Sequence, residues 1–298
     1  MQGIANKLDL RQLRQFLAVA QTGSFSVAAE SLGLSQSAIS KGIRALEQQL
    51  GVQLLDRGPN GAQVTLFGQS LLSYCQLILS LADEAVEEMD ALRGARRGAL
   101  RIGGLPAALL DLVPDAALRF SEQWPDIALL FHEGLNEFLL PMLYNGRIDI
   151  LFSTKPTEPL NDDFEWRLVR TEPVQIICAE QHPLAKATNI TLEELSAYSW
   201  VMPPRPEPDR QTIDTLFRSS GFPRPKIVME TTSISFLRSI IRKTSYLSYL
   251  TRPGIQEQGS GITPLNIPEL KLSRELYAAF RRRGVVRPTV ISFLRELR

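Results

Sequence analysis

Gln36, Ser37, Ser40, Lys41 and Arg44 recur at helical spacing, and no carboxylate joins them before Glu47. Amide, hydroxyl and cationic donors without acids match a surface of phosphates and base edges. A glutamine amide can pair with N6 and N7 of adenine, a match worth roughly 1–3 kcal/mol of discrimination. Lys41 supplies a point charge rather than a planar fork, so its grip on guanine is weaker than an arginine's. Two cations on an amphipathic helix are more often simply solvated, so the neighbouring segments have to decide between the two readings.

The elements that would hold this face are legible on either side. Ile39, Ile43, Leu46 and Leu50 are spaced 4, 3 and 4 apart and give the helix an apolar stripe opposite the polar one. Ser35 is placed to cap its N-terminus. Gly33 suits the left-handed end of a preceding helix, whose Val27, Ala28, Ala29 and Leu32 face a core. This is a helix-turn-helix, with the second helix offered to a major groove. Gly42 inside that helix costs about 1 kcal/mol relative to Ala, which close approach to DNA or to the first helix would explain. Asp9–Gln21 supplies a base helix through Leu10, Leu13, Phe16, Leu17 and Ala20. Beyond Gly51, Val52–Leu55 and Ala62–Leu66 read as two short strands around the turn Asp56–Gly61, a wing with Arg57 at its base. Arg57 is then expected to reach a phosphate or a minor groove.

Thr65 can cap a long proline-free helix from Leu66 to Arg93. Leu71, Cys75, Ile78, Ala82, Ala85, Met89 and Leu92 alternate spacings of 4 and 3 along it, a heptad seam expected to dimerise. Asp83, Glu84, Glu87 and Glu88 would form the solvated side. Such a helix spans ~42 Å, too long to bury in one small domain. Gly94-Ala95-Arg96-Arg97-Gly98 reads as a basic hinge. The pattern then changes to alternating strands and helices, βαβαβ through Phe152, which predicts a parallel sheet. A second α/β unit follows, opening on the strand Val174–Ala179 and including a Thr191–Glu194 capping box. The expected fold class is α/β: two lobes, with chain crossings near Arg170 and Lys271, and a ligand site between them.

Composition bounds the function classes. The 298 residues suffice for about two domains. With 44% hydrophobic and 22% charged residues the chain has an ordinary globular balance. A net charge of +1 places any nucleic-acid contact on a local patch rather than on overall charge. No secretory signal and no membrane-length apolar run is legible, so a cytoplasmic protein is expected. Cys75 and Cys178 lack metal or CxxC spacing and read as buried thiols. His132 and His182, the two histidines, have no motif company. With no phosphate loop, nucleophile elbow or metal cluster, an enzyme is not expected, nor a cofactor. Asp162-Asp163 and Arg281-Arg282-Arg283 read as surface charge. A transport-type solute-binding protein would fit the C-terminal two-thirds but leaves the opening helix pair without a role.

The order of parts resembles LysR-type transcriptional regulators over essentially the whole chain. The resemblance is carried by Leu10–Arg57, by Val64–Gly68, by the Arg101–Gly103 strand, and by the runs Phe120–Leu129 and Asn145–Ile150. It implies a winged helix-turn-helix at residues 1–66, a dimerising linker helix at 67–95 and a periplasmic-binding-protein-like effector domain at 99–298. Lobe I would comprise about 99–169 and 272–298, and lobe II about 170–271. It implies a homodimer or homotetramer on promoter DNA, a small-molecule effector between the lobes and contact with RNA polymerase. The DNA-binding residues implied are Ser35, Gln36, Ser37, Ser40, Lys41, Arg44 and Arg57. Arginine is more usual where Lys41 stands and proline where Ser37 stands. The effector site implied draws on Gly104, Leu105, Pro106, His132, Arg205, Thr231, Thr232, Ser233 and Arg252. Of these, Thr231–Ser233 precede a helix N-terminus that favours an anion, and Arg205 or Arg252 would pair with a carboxylate.

Overall fold

The computed structural model describes residues 8–58, 61–92, 98–156, 163–205, 207–255, 261–267, 270–282 and 287–297. The wing tip Pro59-Asn60, hinge residues 94–97, Asp162, Arg283 and the side chains of Glu84, Glu87, Glu88 and Leu92 lie outside them. The chain divides into two compact units, Met1–Arg97 with Tyr144–Arg147, and Gly98–Leu143 with Ile148–Arg298.

In the first unit three helices are capped by their own sequence. Helix α1 (Leu10–Thr22) begins on Asp9, whose carboxylate accepts from the Arg11 amide at 2.7 Å. Helix α2 (Phe25–Leu32) begins on Ser24 and ends on Gly33 at φ 63°, a left-handed residue that turns the chain into α3 (Gln36–Leu50). Leu13, Phe16, Val19, Ala28, Ala29, Ile39, Ile43 and Leu46 bury the apolar stripes of all three. Gly42 now has its reason: a Cβ there would sit 1.8 Å from Oε1 of buried Gln15 on α1. A side chain at that position would have to displace the Gln15 amide from the α1–α3 contact.

Strands β1 (Leu55–Gly58) and β2 (Gly61–Val64) form the wing, with Gly58 opposite Gly61. The expected hairpin was wider. Asp56, Arg57 and Gly58 belong to the strand, because only two residues separate the paired glycines. Helix α4 (Leu66–Leu92) follows Thr65, whose hydroxyl accepts from the Gly68 amide at 3.1 Å. The expected seam is corrected at Cys75. Cys75 is fully buried in this unit's own core, with Leu71 and Ile78 packed against that core. Ala85 and Met89 of the expected seam are exposed, and so are Phe67, Tyr74, Leu81 and Val86, which it did not include. A 4–3 spacing marks an apolar face, and here part of that face packs against α1 and the wing.

The second unit opens as β3 (Gly98–Gly104), α5 (Leu112–Gln123), β4 (Ile127–Glu133), α6 (Asn136–Tyr144) and β5 (Ile150–Ser153). Strand β3 pairs in parallel with both β4 and β5, as the βαβαβ pattern requires. Strand β6 (Phe164–Ala179) then runs 16 residues, and β11 (Leu272–Arg281) pairs antiparallel along it. Only Val174–Ala179 of β6 was legible, because Glu165, Arg167, Arg170 and Glu172 interrupt any apolar run upstream. Between them lie a 3-10 turn (Pro183–Lys186), α7 (Leu192–Ser196), β7 (Ser199–Met202), α8 (Pro208–Ser219) and β8 (Lys226–Glu230). Helix α9 (Ile234–Ile241), β9 (Ser248–Thr251), α10 (Arg252–Ile255) and β10 (Ile262–Pro264) complete that stretch, and α11 (Pro288–Arg295) ends the chain's regular structure.

The main sheet orders β10-β6-β11-β5-β3-β4, with β9 also on β6, while β7 and β8 pair separately. Two cores result. One gathers Leu100, Ile102, Phe120, Phe152, Phe280 and Phe293 beneath α5 and α11. The other gathers Ile176, Leu195, Trp200, Ile213 and Phe217 beneath α7 and α8. Strands β6 and β11 serve both: Leu276 and Phe280 belong to the first core, Val174 to the second. These two strands are the crossings between lobes.

Candidate functional site

On α3 the residues singled out by type are presented together. Gln36, Ser37, Lys41 and Arg44 are exposed, while Ile39, Ile43 and Leu46 on the opposite face are fully buried. Ser35 is committed to capping: its hydroxyl accepts from the Ala38 amide at 3.2 Å and lies 3.0 Å from the Ser37 hydroxyl. Ser40 is half-buried and accepts from Nη1 of Arg57 at 2.8 Å. The same guanidinium lies 4.6 Å from the Phe25 ring centroid. One arginine therefore ties the wing to α3 and to the start of α2 by a hydrogen bond and a cation–π contact. The result is a rigid ledge of amide, hydroxyl and cationic donors. Phe25 escaped the sequence reading because a lone aromatic after a cap reads as core.

In the second unit the expected effector residues differ in burial and in what engages them. Gly104 ends β3, and the Leu105 amide donates to the Phe152 carbonyl at 3.0 Å, so that donor is not available to a ligand. Pro106 is half-buried, and His132 is half-buried on the edge strand β4. Arg205 is bound to the buried carboxylate of Asp214, which corrects its expected role as a free partner for a ligand carboxylate. Thr231 accepts from the Ser233 amide at 3.1 Å, and Ser233 caps α9 by accepting from the Phe236 amide at 3.2 Å. Thr232 and Arg252 are exposed.

Other polar groups cluster where strands end and were missed. Asn136 donates to the Thr154 carbonyl at 3.1 Å and to its hydroxyl at 3.3 Å, and it accepts from Ser153. Ser153-Thr154 directly follows the apolar run of β5, and that abrupt change at a strand's C-terminal end was the available signal. Arg210 is buried and donates to the Pro203 carbonyl at 2.7 Å and to Glu230 at 2.6 Å. Next to it Glu172, Glu207, Asp209 and Arg274 form a buried charged group about the crossing strands. No sequence spacing joins residues 172, 209 and 274; the pairing of β6 with β11 joins the first and last, and α8 brings Asp209 to them.

Neither cysteine is placed for thiolate chemistry. Burial pushes the Cys75 thiol up to about 12 and that of Cys178 up to about 11. His182 is structural: its Nδ1 accepts from the Leu184 amide at 3.0 Å and its Nε2 lies 3.3 Å from the Ser245 carbonyl. Burial lowers its pKa against the opposing pull of that carbonyl, which favours the neutral ring. Among the described residues no group of three or more His, Cys, Asp or Glu is arranged to hold a metal ion. No described helix is long and apolar enough to cross a membrane.

Two family models match. Residues 10–69 match the bacterial regulatory helix-turn-helix protein, lysR family, and residues 93–298 match the LysR substrate binding domain. The chain is 30% identical over 264 residues to the uncharacterized HTH-type transcriptional regulator YdcI of Escherichia coli K12, covering 89% of this chain and 86% of that one. It is 27% identical to the HTH-type transcriptional activator CmpR of Synechocystis, covering 96% and 94%. Among solved structures, a full-length OxyR variant from Pseudomonas aeruginosa superposes with a TM-score of 0.75 at 20% identity, covering 98% of this chain and 95% of that one. CbnR, described as a LysR family transcriptional regulator, superposes at 0.71 and 22%, covering 97% and 98%.

Proposed function

The chain belongs to the LysR family of DNA-binding transcriptional regulators, and from that premise we propose how its parts divide the work. It is a regulator and not an enzyme. Residues 1–66 form the DNA-binding domain, 67–95 the linker and 99–298 the effector domain. The observation that carries this reading is the ledge on α3, a surface of donors free of carboxylates and held rigid by Arg57. Gln36, Ser37, Lys41 and Arg44 meet the major groove. Ser35 and Ser40 fix the helix, and Arg57 reaches the backbone beside it. A solved CbnR structure is complexed with its target DNA, which supports such docking for a chain of the same fold. The protein works in the cytoplasm on promoter DNA, and RNA polymerase is its downstream partner.

Binding is tested by fluorescence anisotropy with a fragment from upstream of its own gene against random DNA at moderate salt. A clear preference that weakens steeply as salt rises is expected. Equal affinity for both fragments would overturn the reading. Within that assay Gln36→Ala should relax selectivity at one base step by on the order of 1–3 kcal/mol. It should leave affinity for random DNA nearly unchanged.

Self-association uses the exposed stripe of α4. Phe67, Tyr74 and Leu81 repeat every seven residues, and Ala85 and Met89 continue the line. Leu81→Glu is expected to weaken the dimer at least ~10-fold, about 1.4 kcal/mol, in sedimentation equilibrium, with the helical far-UV signal retained. An unchanged dissociation constant would place the interface elsewhere. Higher assembly to a homotetramer then needs a second surface on the effector domain. The effector itself is held where lobe strands end, by Gly104–Pro106, His132 and Thr231–Ser233, with Arg252 at the rim. Asn136 and Thr154 join them from lobe I. A thermal-shift screen of small metabolites tests this site, because a ligand bound to the native state alone raises the melting temperature.

A further inference from the structure

Glu172, near the middle of β6, lies directly opposite Arg274, near the start of β11, on the two strands that cross between lobes. Arg274 Nε donates to Glu172 at 3.0 Å, and its Nη1 reaches Asp209, in the first turn of α8, at 3.4 Å. Its Nη2 also contacts Thr251 at the end of β9, at 3.3 Å. On the lobe I side, Arg170 donates to Glu172 at 3.0 Å and to both oxygens of Asp111, the N-cap of α5, at 3.1 Å. A continuous chain of charges, Asp111–Arg170–Glu172–Arg274–Asp209, thus runs from the helix that covers lobe I to a helix of lobe II, through the hinge strands.

Its lobe II end is unevenly matched. Glu172, Glu207 and Asp209 are all buried and all act electrostatically on one buried guanidinium, that of Arg274. Glu172 takes the close contacts of Arg274. Glu207, the N-cap of α8, accepts from the Arg210 amide at 3.0 Å and from the Tyr249 hydroxyl at 2.7 Å. Asp209 is left with a contact longer than the 2.7–2.9 Å expected of a strong charge-assisted bond. Arg210 turns its guanidinium to Glu230 on β8 and the Pro203 carbonyl.

We propose that Asp209 is a proton-operated latch on the inter-lobe hinge, so that proton occupancy changes how α8 is tied to β11 and thereby the angle between lobes. With the proton on, Asp209 is a neutral hydrogen-bonding partner and Arg274 belongs to Glu172. With the proton off, Asp209 competes for Arg274 and draws it from Glu172. That slackens the Glu172–Arg170–Asp111 arm into lobe I. The charged and titratable groups that act on Asp209 are Glu172 from β6, Arg274 from β11, Tyr249 from β9 and Glu207 at the cap of its own helix. Burial first, and then the charge of Glu207, push the Asp209 carboxyl up to about 7, against the pull of Arg274. A carboxyl whose folded pKa exceeds its unfolded value binds its proton more tightly in the native state. The stabilisation is full at acid pH and is lost as pH rises through about 7.

The proposal rests on the lobe angle being the regulated variable of this family member, and its test uses neither DNA nor effector. Donor and acceptor dyes are placed at exposed Glu122→Cys on α5 and Glu193→Cys on α7 of the full-length protein, diluted into unlabelled protein. Cys75 and Cys178 are buried and stay unlabelled. Energy transfer is expected to change between pH 6 and pH 8 with a midpoint near 7. Asp209→Asn should remove the transition and hold the low-pH value. Glu207→Gln, which keeps the acceptor for Tyr249 but removes the neighbouring charge, should move the midpoint to lower pH. The second variant carries the test if the first fails to fold. A wild-type signal that is flat from pH 6 to 8, or a midpoint unmoved in Glu207→Gln, would overturn the latch. Either result would leave the DNA-binding reading where the anisotropy assay puts it.

Discussion

Arg274→Met is expected to lower the unfolding free energy of the effector domain by about 3–5 kcal/mol. The side chain is 8% exposed and that of Glu172 is 4% exposed, so neither charge is compensated by water. Removing the guanidinium leaves Asp209 without its cation and Glu172 with Arg170 alone, and methionine fills the volume without supplying a donor. The loss should come from that orphaned charge rather than from a cavity. Arg274→Met combined with Glu172→Gln should therefore recover part of it. Urea unfolding followed by intrinsic fluorescence isolates the effect, because Trp124, Trp166 and Trp200 all lie in the second unit. A loss below about 1 kcal/mol, the worth of a surface pair, would mean that Arg274 does not neutralise the cluster.

Arg57→Ala should weaken binding to every DNA sequence by on the order of 1–3 kcal/mol, about 5- to 160-fold. Two contributions add. A wing cation near the backbone is lost, which lowers affinity uniformly and reduces the salt slope by about 1. The tie from the wing to Ser40 and Phe25 is lost as well, so α3 no longer meets the groove as a fixed ledge. Arg57→Lys separates the two: it keeps the charge but loses the planar fork and its stacking. It should restore the salt slope without restoring the full affinity. Unchanged affinity of Arg57→Ala at physiological salt would reject the proposed docking of wing and helix together.

These two arginines differ in how visible they were. Arg57 was legible because it stands one turn signal away from a helix-turn-helix, where a cation has a reason to be. Its contact with Ser40 was not, since it spans 17 residues and depends on the register of Leu55 with Val64. Arg274 gave no signal at all. In sequence it is one of several charged residues in a strand, and its partners lie 102 and 65 residues away. Arg205 shows the opposite error: a cation after a strand suggested a ligand, and Asp214 on the adjoining helix had already taken it.

The sequence by itself determined the local elements and their order. Caps at Asp9, Ser24, Ser35 and Thr191, the left-handed Gly33, and the 4–3–4 spacing of Ile39, Ile43, Leu46 and Leu50 act within a few residues of one another. Short-range physics suffices to read them. It also determined which face of α3 bears donors, because a helix's period assigns faces without reference to the rest of the chain. Tertiary structure alone decided where each apolar face is spent. Cys75, expected on a partner-facing seam, is fully buried in its own unit, and Phe67, Tyr74 and Leu81 are the residues left exposed. It alone also assembled the charges at the lobe crossing. Pairing a 16-residue strand with one about a hundred residues later sets Glu172 opposite Arg274. Helix α8 then adds Asp209, a buried carboxyl held near neutrality by surroundings that no local pattern encodes.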